Sequence, residues 1–216
     1  SAIITATLRA LMAFYEVEIP LPAQPTLVLS AEEALGIAAG LQDRVIQCYE
    51  GMVYMDFAKS QERLCGELPH YHYKPMSPAL LPNIYVAYNN TLSEPTEVFH
   101  NDIRSRYNRA EEEIVSAMQH FASLAEQGHE ALLSDDAERL SALINENFDT
   151  RRRLYRLPSW QVQMIDTARD CGASAKFAGS GGAIIGVYRD ERMYKDLCVQ
   201  MEQIGSKVIK PQICAE

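Results

Sequence analysis

No run in the sequence approaches the roughly 20 consecutive apolar residues that a membrane-spanning helix needs. Residues 1–17 are moderately apolar, but they have no basic start and Arg9 interrupts them, so they do not read as a signal peptide. They also lack a starting Met. Positive charge is scarce: 20 Lys and Arg against 29 Asp and Glu give a formal net charge of -9. That balance disfavours nucleic acid and anionic membranes as partners. A phosphate ligand remains compatible with it where backbone N–H groups and a metal ion supply a local positive field. Paired cysteine motifs are missing too. Cys48, Cys65, Cys171, Cys198 and Cys214 are odd in number and none stands in a C-x-x-C spacing. This argues against a disulfide framework or a zinc site and for a reducing, cytoplasmic location. Neither an internal repeat nor a low-complexity tract is present.

What is there fits a globular domain with a sizeable core: 216 residues, 47% hydrophobic and 23% charged. The pattern is mixed. Residues 2–15 read as a helix with Ile4, Leu8, Leu11 and Tyr15 on one stripe. A loop with Pro20, Pro22 and Pro25 follows, and Ser30 with Glu33 reads as the capping box of the next helix. Residues 52–57 and 83–88 read as strands, and 70–73 is a further candidate. His70 and His72 alternate there, and with no third ligand spaced beside them, solvated strand positions outweigh a metal pair. Residues 95–148 hold two or three long helices, the clearest presenting Ile114, Ala117, Phe121 and Leu124. Then come a helix at 160–171, strands at 173–177 and 183–188, a helix at 191–204, and a closing strand at 208–209. Helices clustered between strands predict an α+β architecture.

Two stretches carry chemistry. In "SAKFAGSGGAIIGVY" (174–188), Gly179, Gly181 and Gly182 suit a tight hairpin, which taken alone is the weightier reading. A turn stripped of side chains also lets backbone N–H groups approach a phosphate, and Lys176 precedes it. In "LSAEEALGIAAGLQDRVIQCYEGMVYMDF" (29–57), an acidic helix runs into a small-residue loop and then Asp43-Arg44. Asp43 reads either as a surface carboxylate at a helix start, worth about 0.3–1 kcal/mol against the helix dipole, or as an ionised group that orients or deprotonates a hydroxyl. Arg151, Arg152 and Arg153 could hold a carboxylate bidentately, but a solvated helical face is the safer reading.

Taken in order, "LSAEEALGIAAGLQDRV", "GMVYMDF", "NFDTRRRLY" and "SAKFAGSGGA" resemble the GHMP kinases, a superfamily of small-molecule kinases, and most closely the sugar 1-kinases of the glucuronokinase type. The resemblance runs from Ser1 to about Pro211. It implies a GHMP kinase fold with the second half of the N-terminal α/β domain over residues 1–90 and a ferredoxin-like C-terminal domain over 91–216. It implies ATP and magnesium as cofactors, and as substrate a small sugar or sugar acid such as glucuronate, phosphorylated at its anomeric hydroxyl. Asp43 matches the family's catalytic aspartate. Ser1 matches the last serine of its phosphate loop, a magnesium ligand, and Glu32 matches its metal-binding glutamate, with Glu33 as competitor. Lys176, Gly179, Ser180, Gly181 and Gly182 match its late glycine-rich motif. The family's first motif has no counterpart, and only Ser1-Ala2 remain of the second. The resemblance therefore implies that these 216 residues alone are inactive. The other readings are a GHMP kinase for a neutral sugar and a non-catalytic sugar- or nucleotide-binding regulatory module derived from a GHMP kinase.

Overall fold

A computed structural model of the chain describes residues 1–37, 40–89, 97–179 and 181–213, with backbone alone for 97–102. The chain forms two compact units, Ser1–Ala79 with Ile213, and Leu80–Gln212. Among the described residues no helix is long and apolar enough to cross a membrane.

The first unit opens with α1 (Ala2–Tyr15), which ends where Glu16 turns left-handed at φ 52°. Its covered face follows the first half of the expected stripe and leaves the second half exposed. Thr5 is buried and Ile4, Leu8 and Met12 are half-buried, while Leu11 and Tyr15 stay 48% and 67% exposed. On the covered flank Arg9 reaches α3 (Leu41–Tyr49), donating to Cys48 O at 3.1 Å and pairing with Glu50 at 2.6 Å. The Pro-rich stretch is also not a plain loop. A 3-10 turn at Leu21–Ala23 leads into α2 (Gln24–Ala34), with Pro25 in its first turn. Proline is tolerated there because that N–H has no helical partner. Ser30 therefore lies inside α2 and caps nothing; its hydroxyl donates to Leu27 O at 2.8 Å.

α3 leads into β1 (Met52–Asp56), followed by a hairpin of β2 (Arg63–Cys65) and β3 (Leu68–His70), then β4 (His72–Met76). β1 and β4 pair antiparallel from Met52↔Met76 to Asp56↔His72. His70 and His72 thus end one strand and begin another, in different sheets, and do not share a strand face. Val28, Val45, Cys48 and Tyr73 form the buried centre.

The second unit runs β5 (Ile84–Tyr88), α4 (Glu97–Asn108), α5 (Glu112–Leu133), α6 (Ala137–Leu154), α7 (Ser159–Asp170), β6 (Lys176–Phe177), β7 (Ala183–Val187), α8 (Glu191–Gln203) and β8 (Lys207–Ile209). The strand order is β6-β7-β5-β8, with every neighbour antiparallel. This is the β-α-β-β-α-β order of ferredoxin-like sheets, carrying an inserted helical run between its first two strands. Because β5 pairs with both β7 and β8, it belongs to this unit, and the division between compact units falls at 79/80, ahead of the expected 90/91. Asp136 and Asp190 cap α6 and α8 by accepting from Arg139 N and Met193 N, each at 2.9 Å. Tyr85, Phe148, Ile165, Ile184, Leu197 and Met201 are fully enclosed; each such side chain stabilises the fold by about 1.5–3 kcal/mol relative to exposure. α5 packs on α6 through Leu124, Ala131 and Leu143. β7 carries Gly186 where a Cβ would overlap Ser174 O, the oxygen that accepts from Tyr85 Oη at 2.9 Å.

Candidate active site

In the first unit, the residues singled out from sequence gather around one guanidinium. Arg44, in the first turn of α3, is 5% exposed. Its Nη2 binds Glu32 Oε2 on α2, and its Nη1 donates to Gly40 O at 2.8 Å and stands 3.5 Å from Asp43 Oδ2. Gly40, the residue before α3, is extended and keeps the Gln42 amide against its backbone, where a Cβ would not fit. One cation therefore touches a buried carboxylate, an exposed one and the loop end between them. Glu32 is 2% exposed, whereas the Asp43 side chain is 64% exposed. The other Glu32 oxygen, Oε1, lies 2.6 Å from the Ser1 backbone nitrogen. Burial pushes the Glu32 carboxyl up, but the hydrogen bonds from Ser1 and Arg44 outweigh it and hold the group below its ordinary value. Glu33 points to solvent. Ala38 and Ala39 of the small-residue loop lie outside the described residues.

Ser1 and Glu32 offer hard oxygens of the kind magnesium takes, a hydroxyl and a carboxylate, and an ion would share the carboxylate with Arg44 and the Ser1 nitrogen, which hold its two oxygens here. Among the described residues no group of three or more His, Cys, Asp or Glu could cage a metal. An ion here would take one protein carboxylate and complete its shell with water and phosphate oxygens, which is the usual habit of magnesium.

In the second unit, the glycine-rich turn joins β6 to β7. Gly181 and Gly182 have φ of 147° and 79°, a region that favours glycine, and the Gln161 amide fills the place where a Cβ on Gly181 would stand. Ala178 N donates to Ala183 O at 3.0 Å and closes the turn. The short hairpin between two strands is thus present, and the glycines serve it. Ser180 lies outside the described residues. Lys176 is half-buried and donates to Phe177 O at 3.0 Å.

The arginine run divides. Arg152 and Arg153 are exposed, as a solvated face requires. Arg151 departs from that reading: it is half-buried, and its guanidinium lies against the rings of Tyr155 and Phe177 and donates to Gly179 O at 2.7 Å. The readable signal was Tyr155, one helical turn after Arg151. Gln161 carried no signal, because its neighbour Gly181 lies twenty positions on and is brought near only by the fold.

Residues 129–198 match the family model described as GHMP kinases C terminal. That match identifies residues 129–198 as a GHMP kinase C-terminal domain, and the chain has the GHMP kinase fold. The chain is 44% identical to glucuronokinase 1 of Arabidopsis thaliana over 86% of its own length and 51% of that protein. It spans about half the length of the curated relatives it matches. Among solved structures, the Lin0012 protein of Listeria innocua superposes with a TM-score of 0.76 at 19% identity, covering 98% of this chain and 64% of that one. Phosphomevalonate kinase of Streptococcus pneumoniae gives 0.73 at 16%, covering 97% and 68%.

Proposed function

We propose that the protein is an ATP-dependent sugar kinase that phosphorylates the anomeric hydroxyl of a uronic acid such as glucuronate, giving the sugar 1-phosphate and ADP. The observation that carries the reading is the shared guanidinium: in a chain 44% identical to a glucuronokinase, Arg44 touches both Glu32 and the exposed Asp43. Asp43 is the group that orients the sugar hydroxyl and takes its proton as the hydroxyl oxygen bonds to the γ-phosphorus and the bond to ADP breaks. Ser1 and Glu32 would hold magnesium, which when bound neutralises charge on the transferring phosphoryl group. Lys176, Gly179, Ser180, Gly181 and Gly182 serve the nucleotide. In this reading the first unit completes an N-terminal kinase domain and the second unit, β5 included, forms the C-terminal one. The acidic balance and unpaired cysteines support a cytoplasmic enzyme without nucleic-acid or membrane partners.

The test is a substrate panel with ATP and magnesium, following ADP release from an active preparation of the protein. A uronic acid is expected to be the best acceptor, with its 1-phosphate as product. Galactose or another neutral sugar outperforming every uronic acid would reject the substrate.

The metal assignment has its own outcome. Glu32→Gln is expected to raise the magnesium concentration needed for half-maximal rate sharply, because it replaces an anionic ligand by a neutral one. Glu33→Gln should leave that requirement unchanged, since Glu33 faces solvent. The reverse pattern in a magnesium titration would move the ligand to Glu33.

A further inference from the structure

We propose that Arg44 is a positioning residue for the phosphoryl transfer: anchored on Glu32, it sets the orientation of the Asp43 carboxylate without occupying it. The inference rests on the kinase reading above and deepens it. Asp43 stands in the first turn of α3 with its side chain largely in solvent. Among the described residues Arg44 is the one cation within 4.0 Å of it, and its carboxylate accepts no hydrogen bond. A base that must meet a hydroxyl within about 2.6–3.2 Å gains from a carboxylate held in one orientation.

Arg44 suits that task because it is itself held. Its guanidinium is buried, with Nη2 on Glu32 Oε2 and Nη1 donating to Gly40 O at 2.8 Å. Both anchors lie outside α3, one on α2 and one at the residue before α3. Nη1 also faces Asp43 Oδ2, but at 3.5 Å. A charge-assisted hydrogen bond would be about 2.7–2.9 Å long. The anchors therefore hold the guanidinium short of Asp43. Its charge draws one carboxylate oxygen inward and leaves lone pairs for a sugar hydroxyl, whereas a forked Arg–Asp pair would take both oxygens. Nε gives an independent sign that the anchors dictate the pose: it is buried and has no hydrogen-bond partner. A buried N–H left unpaired is unfavourable. The fork is planar and rigid, so turning it to serve Nε would give up Glu32 or Gly40.

A double-mutant cycle on turnover tests this, run with ATP, magnesium and the best sugar acceptor on an active preparation of the protein. Arg44→Lys keeps a charge for Glu32 but replaces the fork by a single point of contact. It is expected to lower kcat by about tenfold to 10²-fold, the scale of a misplaced reacting group, with KM for sugar and for ATP nearly unchanged. In the Asp43→Asn background the same substitution should change kcat by less than about twofold, because the residual rate no longer passes through the carboxylate that Arg44 orients. An Arg44 that serves the fold alone would lower kcat by the same factor in both backgrounds, and that additive result overturns the proposal. Wild-type kcat in Arg44→Lys overturns it as well. If Arg44→Lys does not fold, Arg44→Gln, which is neutral and still able to donate to Gly40 O, is taken through the same cycle and judged by the same outcomes. The kinase reading is judged separately. A wild type that phosphorylates no sugar removes the reaction and the proposal together, whereas a sugar kinase with an additive cycle keeps its activity and loses only this role of Arg44.

Discussion

Replacing Asp43 by asparagine is expected to lower turnover by about 10²–10⁴-fold, the usual worth of a positioned acid or base, with nucleotide affinity nearly unchanged. The size of the effect follows from what the substitution keeps. Asparagine has the same shape as aspartate, and its amide is tolerated in the first turn of a helix. The Asp43 side chain is 64% exposed and meets Arg44 only at 3.5 Å, so little packing is at stake. The loss therefore falls on proton transfer and on the charge beside the reacting hydroxyl. Single-turnover kinetics with a saturating sugar acid, together with thermal melting of the variant, separates chemistry from folding. Turnover within a few-fold of wild type would remove Asp43 from this role.

The second large effect is on stability. Arg44→Met is expected to destabilise the first unit by about 3–5 kcal/mol, the cost of leaving a buried charge without its partner. Glu32 is 2% exposed and would keep only its contact with the Ser1 nitrogen. The sign with pH follows. Glu32 is held below its ordinary value in the folded wild type, so its contribution is complete above the ordinary glutamate range and fades as pH falls through the lowered folded value. In Arg44→Met the same carboxyl, buried without that cation, is pushed up and is relieved by a proton. The gap between variant and wild type should therefore narrow on acidification, beginning above the ordinary glutamate range, where the raised variant carboxyl takes its proton, and continuing down through the lowered wild-type value. Pairing Arg44→Met with Glu32→Leu should recover much of the loss, because an apolar pair of similar volume has no charge to desolvate. Denaturant unfolding of wild type, the two single variants and the double variant across that pH range measures all three points. A constant gap would show that the loss comes from packing.

Much of the second unit was readable because its helices keep a 3.6-residue rhythm over many turns. Ile114, Ala117 and Leu124 are buried as their spacing requires. β5 and β7 were readable from short apolar runs bounded by turn residues. Local rhythm failed where a distant partner decides. On α1 the second half of the stripe stays exposed while Arg9 bonds to α3, and nothing within α1 records that partner. The start of α2 was masked because proline at a helix entry and proline in a loop look alike. Asp43-Arg44 stood out as a pair of adjacent charges. The stronger bond of Arg44 goes twelve residues back to Glu32, and Arg151 meets the glycine turn twenty-eight residues on. Bonds between elements leave no mark in either element's own sequence.

The order of strands in the second unit also sets when it can fold. β5 sits inside the sheet, yet it is the first of its strands to be made: Val86 pairs with Ile185 on one side and Ile209 on the other. During synthesis the helices α4 to α7 emerge, α4 to α6 pairing with one another, while β5 waits with both edges open. Closing so long a span costs loop entropy before any ladder bond returns it. An unpaired strand holding Tyr85 and Ala87, both 0% exposed once folded, is a sticky edge for as long as that wait lasts. The short strand Lys207–Ile209, made last, is thus the one that ends its exposure to misassembly.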